Sequence, residues 1–148
     1  MSKANEVPFE TTLFVRDTCL CLHLQRAARA LARRFDEALR PLGLTSGQYS
    51  MMMALNQPAP PSIGAVASIL CVDRTTMTAA LKPLERRGLV TVTIDNSDRR
   101  SRRLKLTAAG RALLARAVPV WRRTHAEIDR LVPDAGAERL RRDLRALT

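Results

Sequence analysis

Apolar residues recur at helical spacing along most of the chain. Between Thr18 and Leu42, Cys21, Leu24, Ala28, Leu31 and Phe35 mark one face while Arg26, Arg29, Arg33 and Glu37 occupy others, which predicts a long amphipathic helix. Pro41-Leu42-Gly43 stops it. Thr45, with Gln48 three residues on, makes a capping box for a second helix carrying Tyr49, Met52, Met53 and Leu55. Pro58-Ala59-Pro60-Pro61 forces a turn or an extended link. Ser62 then caps a short third helix with Ile63, Val66, Ala67 and Leu70 as its apolar stripe, and Cys71-Val72 forms a tight connection. Asp73 caps a fourth helix by accepting from the free amides of Thr75 or Thr76. Its Met77, Leu81 and Leu84 face one way, leaving Arg74, Thr75, Thr78 and Lys82 on a polar, hydrogen-bonding side. Pro83 removes one helical hydrogen bond there, and Gly88 ends the helix.

Past Gly88 the period changes. Leu89 to Ile94 is rich in β-branched residues, Arg103 to Thr107 alternates polar with apolar, and the intervening loop holds Asp98, Arg99, Arg100 and Arg102. This predicts a hairpin with a basic tip. Thr107 caps a further helix through Leu113, Ala117, Val120, Trp121 and Ile128, bent near Pro119, and Pro133-Asp134 breaks it. Leu140, Leu144 and Leu147 line one face of a last helix.

Composition narrows the function. A chain of 148 residues with 46% apolar residues suits one globular domain, or one domain with helical extensions. The net charge of +11 calls for an acidic partner, and clustered arginines at a hairpin tip repel one another unless an anion such as a phosphate backbone lies beside them; the alternative is a solvated basic loop. No apolar run is long enough to span a bilayer, and Met1 to Glu6 lacks the pattern of a signal peptide, so the expected location is cytoplasmic. Three cysteines fit reduced thiols better than a disulfide framework. Scarce aromatics argue against single-strand binding by stacking. The sequence contains no nucleophile elbow, phosphate-binding glycine loop, metal motif or paired carboxylates placed for chemistry, so neither an enzyme nor a bound cofactor is expected.

Two short helices joined by a tight turn, the second exposing Arg and Thr, followed by a basic hairpin, describe a winged helix-turn-helix on a mainly α scaffold with a small β-wing. Hydroxyl and guanidinium groups near the N-terminus of the second helix can reach base edges in a major groove, which selects Arg74, Thr75 and Thr78, with Lys82 further along the same side.

Ser62 to Gly110 resembles the DNA-binding core of the MarR family of bacterial transcriptional regulators. The residues are Leu84-Glu85-Arg86-Arg87-Gly88-Leu89-Val90, then Asp95, then Asp98-Arg99-Arg100, then Leu106-Thr107 with Gly110, in the family's order and spacing. The resemblance extends over almost the whole chain. It implies an N-terminal dimerisation region at 1–42, a DNA-binding domain at 43–110 and C-terminal dimerisation helices at 111–148. It also implies a homodimer reading a pseudo-palindromic operator in double-stranded DNA, usually as a repressor. The residue matching Arg100 would enter the minor groove with the one matching Asp98 bracing it. Val92 stands where many members carry a basic residue.

The resemblance further implies a pocket between the dimer helices and the DNA-binding lobe for a small aromatic acid, which His23, Tyr49, Met52, Met53 and Trp121 could line; ordinary core packing is the competing reading for each. Within the family, organic-peroxide sensors carry a reactive cysteine matching Cys21. Phe35 and Ser46 replace tyrosines that support that cysteine, which favours a buried structural thiol over a peroxide switch. Cys19 and His23 share a helical face but Cys21 points away, which spoils a metal site. Cys71 reads as a small buried apolar residue. A nonspecific architectural DNA-binding protein is the alternative from a different class.

Overall fold

The computed structural model describes residues 6–148; the reading of the first residues as free of a signal pattern therefore falls almost wholly outside them. The order is α1 (Phe9–Thr18), α2 (Leu20–Leu39), a 3-10 turn at Arg40–Leu42, α3 (Ser46–Leu55), α4 (Ile63–Leu70), α5 (Arg74–Arg86), β1 (Val90–Ile94), β2 (Arg102–Leu106), α6 (Ala108–Asp129), a 3-10 turn at Pro133–Ala135, and α7 (Ala137–Arg145).

The N-terminal helix differs from expectation. Its body is α2, but the chain is already helical from Phe9, and a break at Cys19, whose backbone is extended, separates α1 from α2. The sulfur of Cys19 caps α2 by accepting from the amide of Leu22 at 3.4 Å. Nothing on α1 is buried. Phe9 and Phe14 are each about two-thirds exposed, as is Leu20 at the start of α2.

The other caps follow the sequence. Thr45 and Gln48 bond reciprocally at 3.1 Å to start α3, Ser62 accepts from Ala65, and Asp73 accepts from the amide of Thr76 at 2.7 Å. Gly88 adopts φ 68° after α5, with its amide bonded to Glu85 and that of Leu89 to Leu84, a doubly bonded helix end that only a left-handed residue allows. Cys71 closes α4 in the same manner with φ 54° and ψ 46°, Val72 bonding back to Ala67. The Cys71 side chain is exposed, against the expectation of burial, because the position is selected by backbone conformation and the thiol is turned outward. Helix α5 runs unbroken through Pro83.

Leu39, Met52, Val66, Met77, Leu84, Val90 and Leu104 form the fully buried centre, drawing on α2 to α5 and both strands. From the other side Trp121 of α6 stacks against Phe35 (6.5 Å), Tyr49 (6.2 Å) and His125 (4.6 Å), joining the long helices to α3. The strands pair antiparallel from Val90 with Leu106 to Ile94 with Arg102.

Thr107 ties three parts together. Its hydroxyl donates to the carbonyl of Gly88 at 2.7 Å and accepts from the amide of Gly110 at 3.0 Å, while its own amide bonds to the Leu89 carbonyl. Gly110 is buried here, and a Cβ would overlap the Leu89 carbonyl oxygen, so the position takes glycine.

Candidate nucleic-acid interface

Helix α5 is anchored by Met77, Leu81 and Leu84, all buried. At 100° per residue Arg74, Thr75, Thr78 and Lys82 fall within about 100° of arc, so they share one side of the helix, and all four are exposed. The Thr78 hydroxyl donates to the Arg74 carbonyl at 2.8 Å, which orients its oxygen outward as an acceptor. Asp73 is held below the usual carboxylate range, chiefly by the Thr76 amide, so this cap stays ionised.

The C-terminal end of α5 is pinned as well. Arg87 donates through Nη1 to the carbonyl of Gly43 at 2.6 Å, linking the end of this helix to the turn between α2 and α3. Nothing in the sequence pattern marks this contact; only proximity in the fold brings residues 43 and 87 together.

At the hairpin tip Asp98, Arg99 and Arg100 are exposed. Asp98 accepts from the backbone amide of Arg100 at 3.0 Å, and the Ser101 amide bonds to the Asp98 carbonyl, so the aspartate shapes the turn and does not grip the Arg100 guanidinium as expected. Arg102 is half-buried and folds back to donate to the Arg99 carbonyl at 3.1 Å, an internal role in place of an outward one. The ion pair of the hairpin lies one residue on: Arg103 Nε to Asp95 Oδ2 at 2.7 Å. The run of arginines does not reveal which one turns inward; the strand register does.

The candidate pocket residues are scattered. Tyr49 and Met52 are core, Met53 and His23 are exposed, and none lines the cleft of about 470 Å³ between α3 and α5, whose walls include Gln48, Met51, Leu70, Val72, Met77 and Pro83. Burial pushes the Tyr49 phenol above its ordinary pKa. Cys21, expected to be buried, is exposed, with Gln25 Nε2 donating to its sulfur at 3.3 Å.

Comparison with known proteins gives consistent matches. A sequence model described as the MarR family matches residues 44–101. The transcriptional activatory protein BadR of Rhodopseudomonas palustris is 35% identical over 95 residues, covering 62% of this chain and 54% of BadR, so the match spans about half the length of that relative. The transcriptional regulator MosR of M. tuberculosis, solved in complex with DNA, superposes with a TM-score of 0.79 at 41% identity over 87% of this chain and 92% of MosR. The transcriptional repressor CouR, bound to a 23-mer DNA duplex, gives 0.79 at 29% identity over 97% of this chain and 99% of CouR. CouR from Rhodococcus jostii bound to p-coumaroyl-CoA gives 0.74 at 27% identity over 88% of this chain and 92% of that one.

Proposed function

The chain belongs to the MarR family, and from that premise we propose that it is a homodimeric, sequence-specific regulator of transcription that binds double-stranded DNA and is released from it by a small molecule. The observation that carries the reading is the pairing of an exposed Arg/Thr face on α5 with an exposed arginine tip on the adjacent hairpin. The helix presents groups that read base edges in a major groove, and the tip presents cations suited to the negative potential of the adjacent minor groove. Arg74, Thr75, Thr78 and Lys82 contact the first, and Arg99 and Arg100 the second. Asp98 shapes the tip, and Arg102 supports it from within.

The dimer reading is supported by apolar side chains that a single chain leaves uncovered at both ends: Val7, Phe9, Phe14 and Leu20 before the core, Leu131, Leu140 and Leu147 after it. Regions 1–42 and 111–148 are the dimerisation elements in this reading, flanking the DNA-binding domain at 43–110. Repression is the mode proposed, as stated for CouR, whereas BadR is named an activator. The effector enters the cleft between α3 and α5, where occupancy displaces α5 and so changes the separation of the paired recognition helices. Among the described residues no charged side chain lines that cleft, so an aromatic acid would find hydrogen-bond partners there but no counter-ion.

Fluorescence anisotropy against DNA from immediately upstream of the gene and against a shuffled duplex, at several salt concentrations, tests this. Preference for the upstream fragment that persists as salt rises supports the regulator. Equal binding that collapses with salt supports an architectural protein instead.

Cys21 is exposed in the single chain, and a second reading, in which the dimer leaves that thiol open, is a peroxide-responsive regulator. Its thiolate would attack the O–O bond of a hydroperoxide, giving a sulfenic acid and releasing the alcohol. Loss of DNA binding on peroxide treatment, abolished by Cys21→Ser, distinguishes it.

A further inference from the structure

Arg103 sits on β2 opposite Thr93, at the neck of the hairpin. Its Nε donates to Asp95 Oδ2 at 2.7 Å, and its Nη1 reaches the carbonyl of Pro60 at 3.4 Å. The neighbouring amide of Leu104 bonds to the Pro61 carbonyl at 2.9 Å, and Ser62 forms an antiparallel bridge with Arg103 itself. The segment before α4 thus becomes an edge on β2, rooting the hairpin in the helix-turn-helix. Asp95 completes the link on the other side: Oδ1 accepts the amide and hydroxyl of Ser97 at 2.9 and 2.8 Å, and its own amide bonds to the Ser101 carbonyl at 3.1 Å. One carboxylate therefore holds the tip loop with one oxygen and the rooted arginine with the other. Its side chain is 11% exposed and that of Arg103 43%. The Ser97 amide and hydroxyl, with Arg103, keep Asp95 ionised by holding its pKa at about 2.

We propose that Asp95 and Arg103 are positioning residues of the wing, a brace at its neck that fixes where Arg99 and Arg100 lie relative to α5. The proposal rests on the DNA-binding reading. A two-stranded hairpin is marginal by itself, and a cationic tip gains affinity from being held in place before it meets its ligand. Simple electrostatics points the opposite way: removing a carboxylate near phosphates should strengthen binding. The two accounts differ in sign.

The test uses the full chain with Asp95→Ala, Arg103→Met, and each combined with Arg100→Ala, read by duplex anisotropy over a salt series and by hydrogen exchange of the wing amides without DNA. The brace predicts that Asp95→Ala weakens duplex binding about tenfold, a typical coupling between contacting residues, and adds little once Arg100 is gone. Arg103→Met should lower affinity while leaving the salt slope intact, since Arg103 neutralises no phosphate. The amides of residues 95 and 101 should exchange at least about tenfold faster, with the core unchanged. Binding that is unchanged or tighter in Asp95→Ala, full additivity with Arg100→Ala, or a slope reduced by about one in Arg103→Met would each overturn the proposal. If the wild type binds no duplex, the DNA reading itself fails. The exchange measurement then still decides the brace: acceleration at the wing retains it, and unchanged protection removes it.

Discussion

Gly110→Ala is the most discriminating single substitution in the fold. Gly110 lies in the first turn of α6, where helix propensity alone favours alanine by about 1 kcal/mol. The structure reverses the sign. A methyl group there would overlap the carbonyl oxygen of Leu89, sit 3.1 Å from its carbon and 3.4 Å from Leu106 Cδ2. The first of these is backbone and cannot swing aside, so α6 must retreat from the root of β1. Overpacking of this kind costs about 1–3 kcal/mol and sometimes more. The retreat also strains the Thr107 amide bond to Leu89 and the Gly110 amide bond to Thr107, each worth about 1 kcal/mol. Set against the gain in propensity, the net loss is about 2–4 kcal/mol, equivalent to a fall in midpoint of about 5–15 °C for a domain of this size. Thermal and urea unfolding at one fixed protomer concentration measure it, because the stability of the proposed dimer would depend on concentration. A Gly110→Ala variant more stable than the wild type by about 1 kcal/mol, as for an exposed helix interior, would refute the close packing of α6 on β1.

Three further outcomes follow from the geometry. Cys71→Gly should raise the urea midpoint modestly: a left-handed non-glycine residue costs about 1–2 kcal/mol, glycine's extra unfolded entropy returns about half of that, and the exposed thiol forfeits no packing; a clear fall would contradict it. Asp95 has a folded pKa of about 2 against 3.8 unfolded, so its contribution is fully present above the unfolded value and is lost as pH falls through the folded one. Acid titration of stability should therefore be flatter for Asp95→Asn between pH 4 and 2, with an identical slope telling against the carboxylate's bonds. Arg100→Ala should weaken duplex binding across sequences without redirecting it, measured by competition among operator variants; a sharply altered consensus at undiminished affinity would exclude a minor-groove role.

The helix-turn-helix was legible because its determinants are local. Thr45, Ser62, Asp73 and Thr107 each cap within three residues, and the buried side of α5 can be read from spacing alone. The hairpin was legible from its change of period. What escaped depends on tertiary position. Helix α1 buries nothing within one chain, so Phe9, Phe14 and Val15 give no core-facing stripe to recognise. Met52 and Met53 are adjacent in sequence but about 100° apart around α3, which puts one in the core and the other outside. Cys71 looked apolar and proved to be conformational. Arg102 and Arg103 are indistinguishable by composition from Arg99 and Arg100, yet they turn to a carbonyl and a carboxylate of their own hairpin.

The junction at Thr107 also has a mechanical meaning. Helix α6 has 22 residues, hence a length of about 33 Å, and one end of it is bolted to both Gly88 and the root of β1. Moving as one rigid rod, it would act as a lever with its fulcrum beside the wing. A rotation of about 5° at that end carries the far end through about 3 Å over this length, and the converse holds. A displacement of side-chain size near Asp129, where α6 meets α7 through Arg141, is therefore geared down to a fine angular adjustment of the wing. Changes at the C-terminal helices would in this way be felt at the hairpin without any side chain bridging the distance.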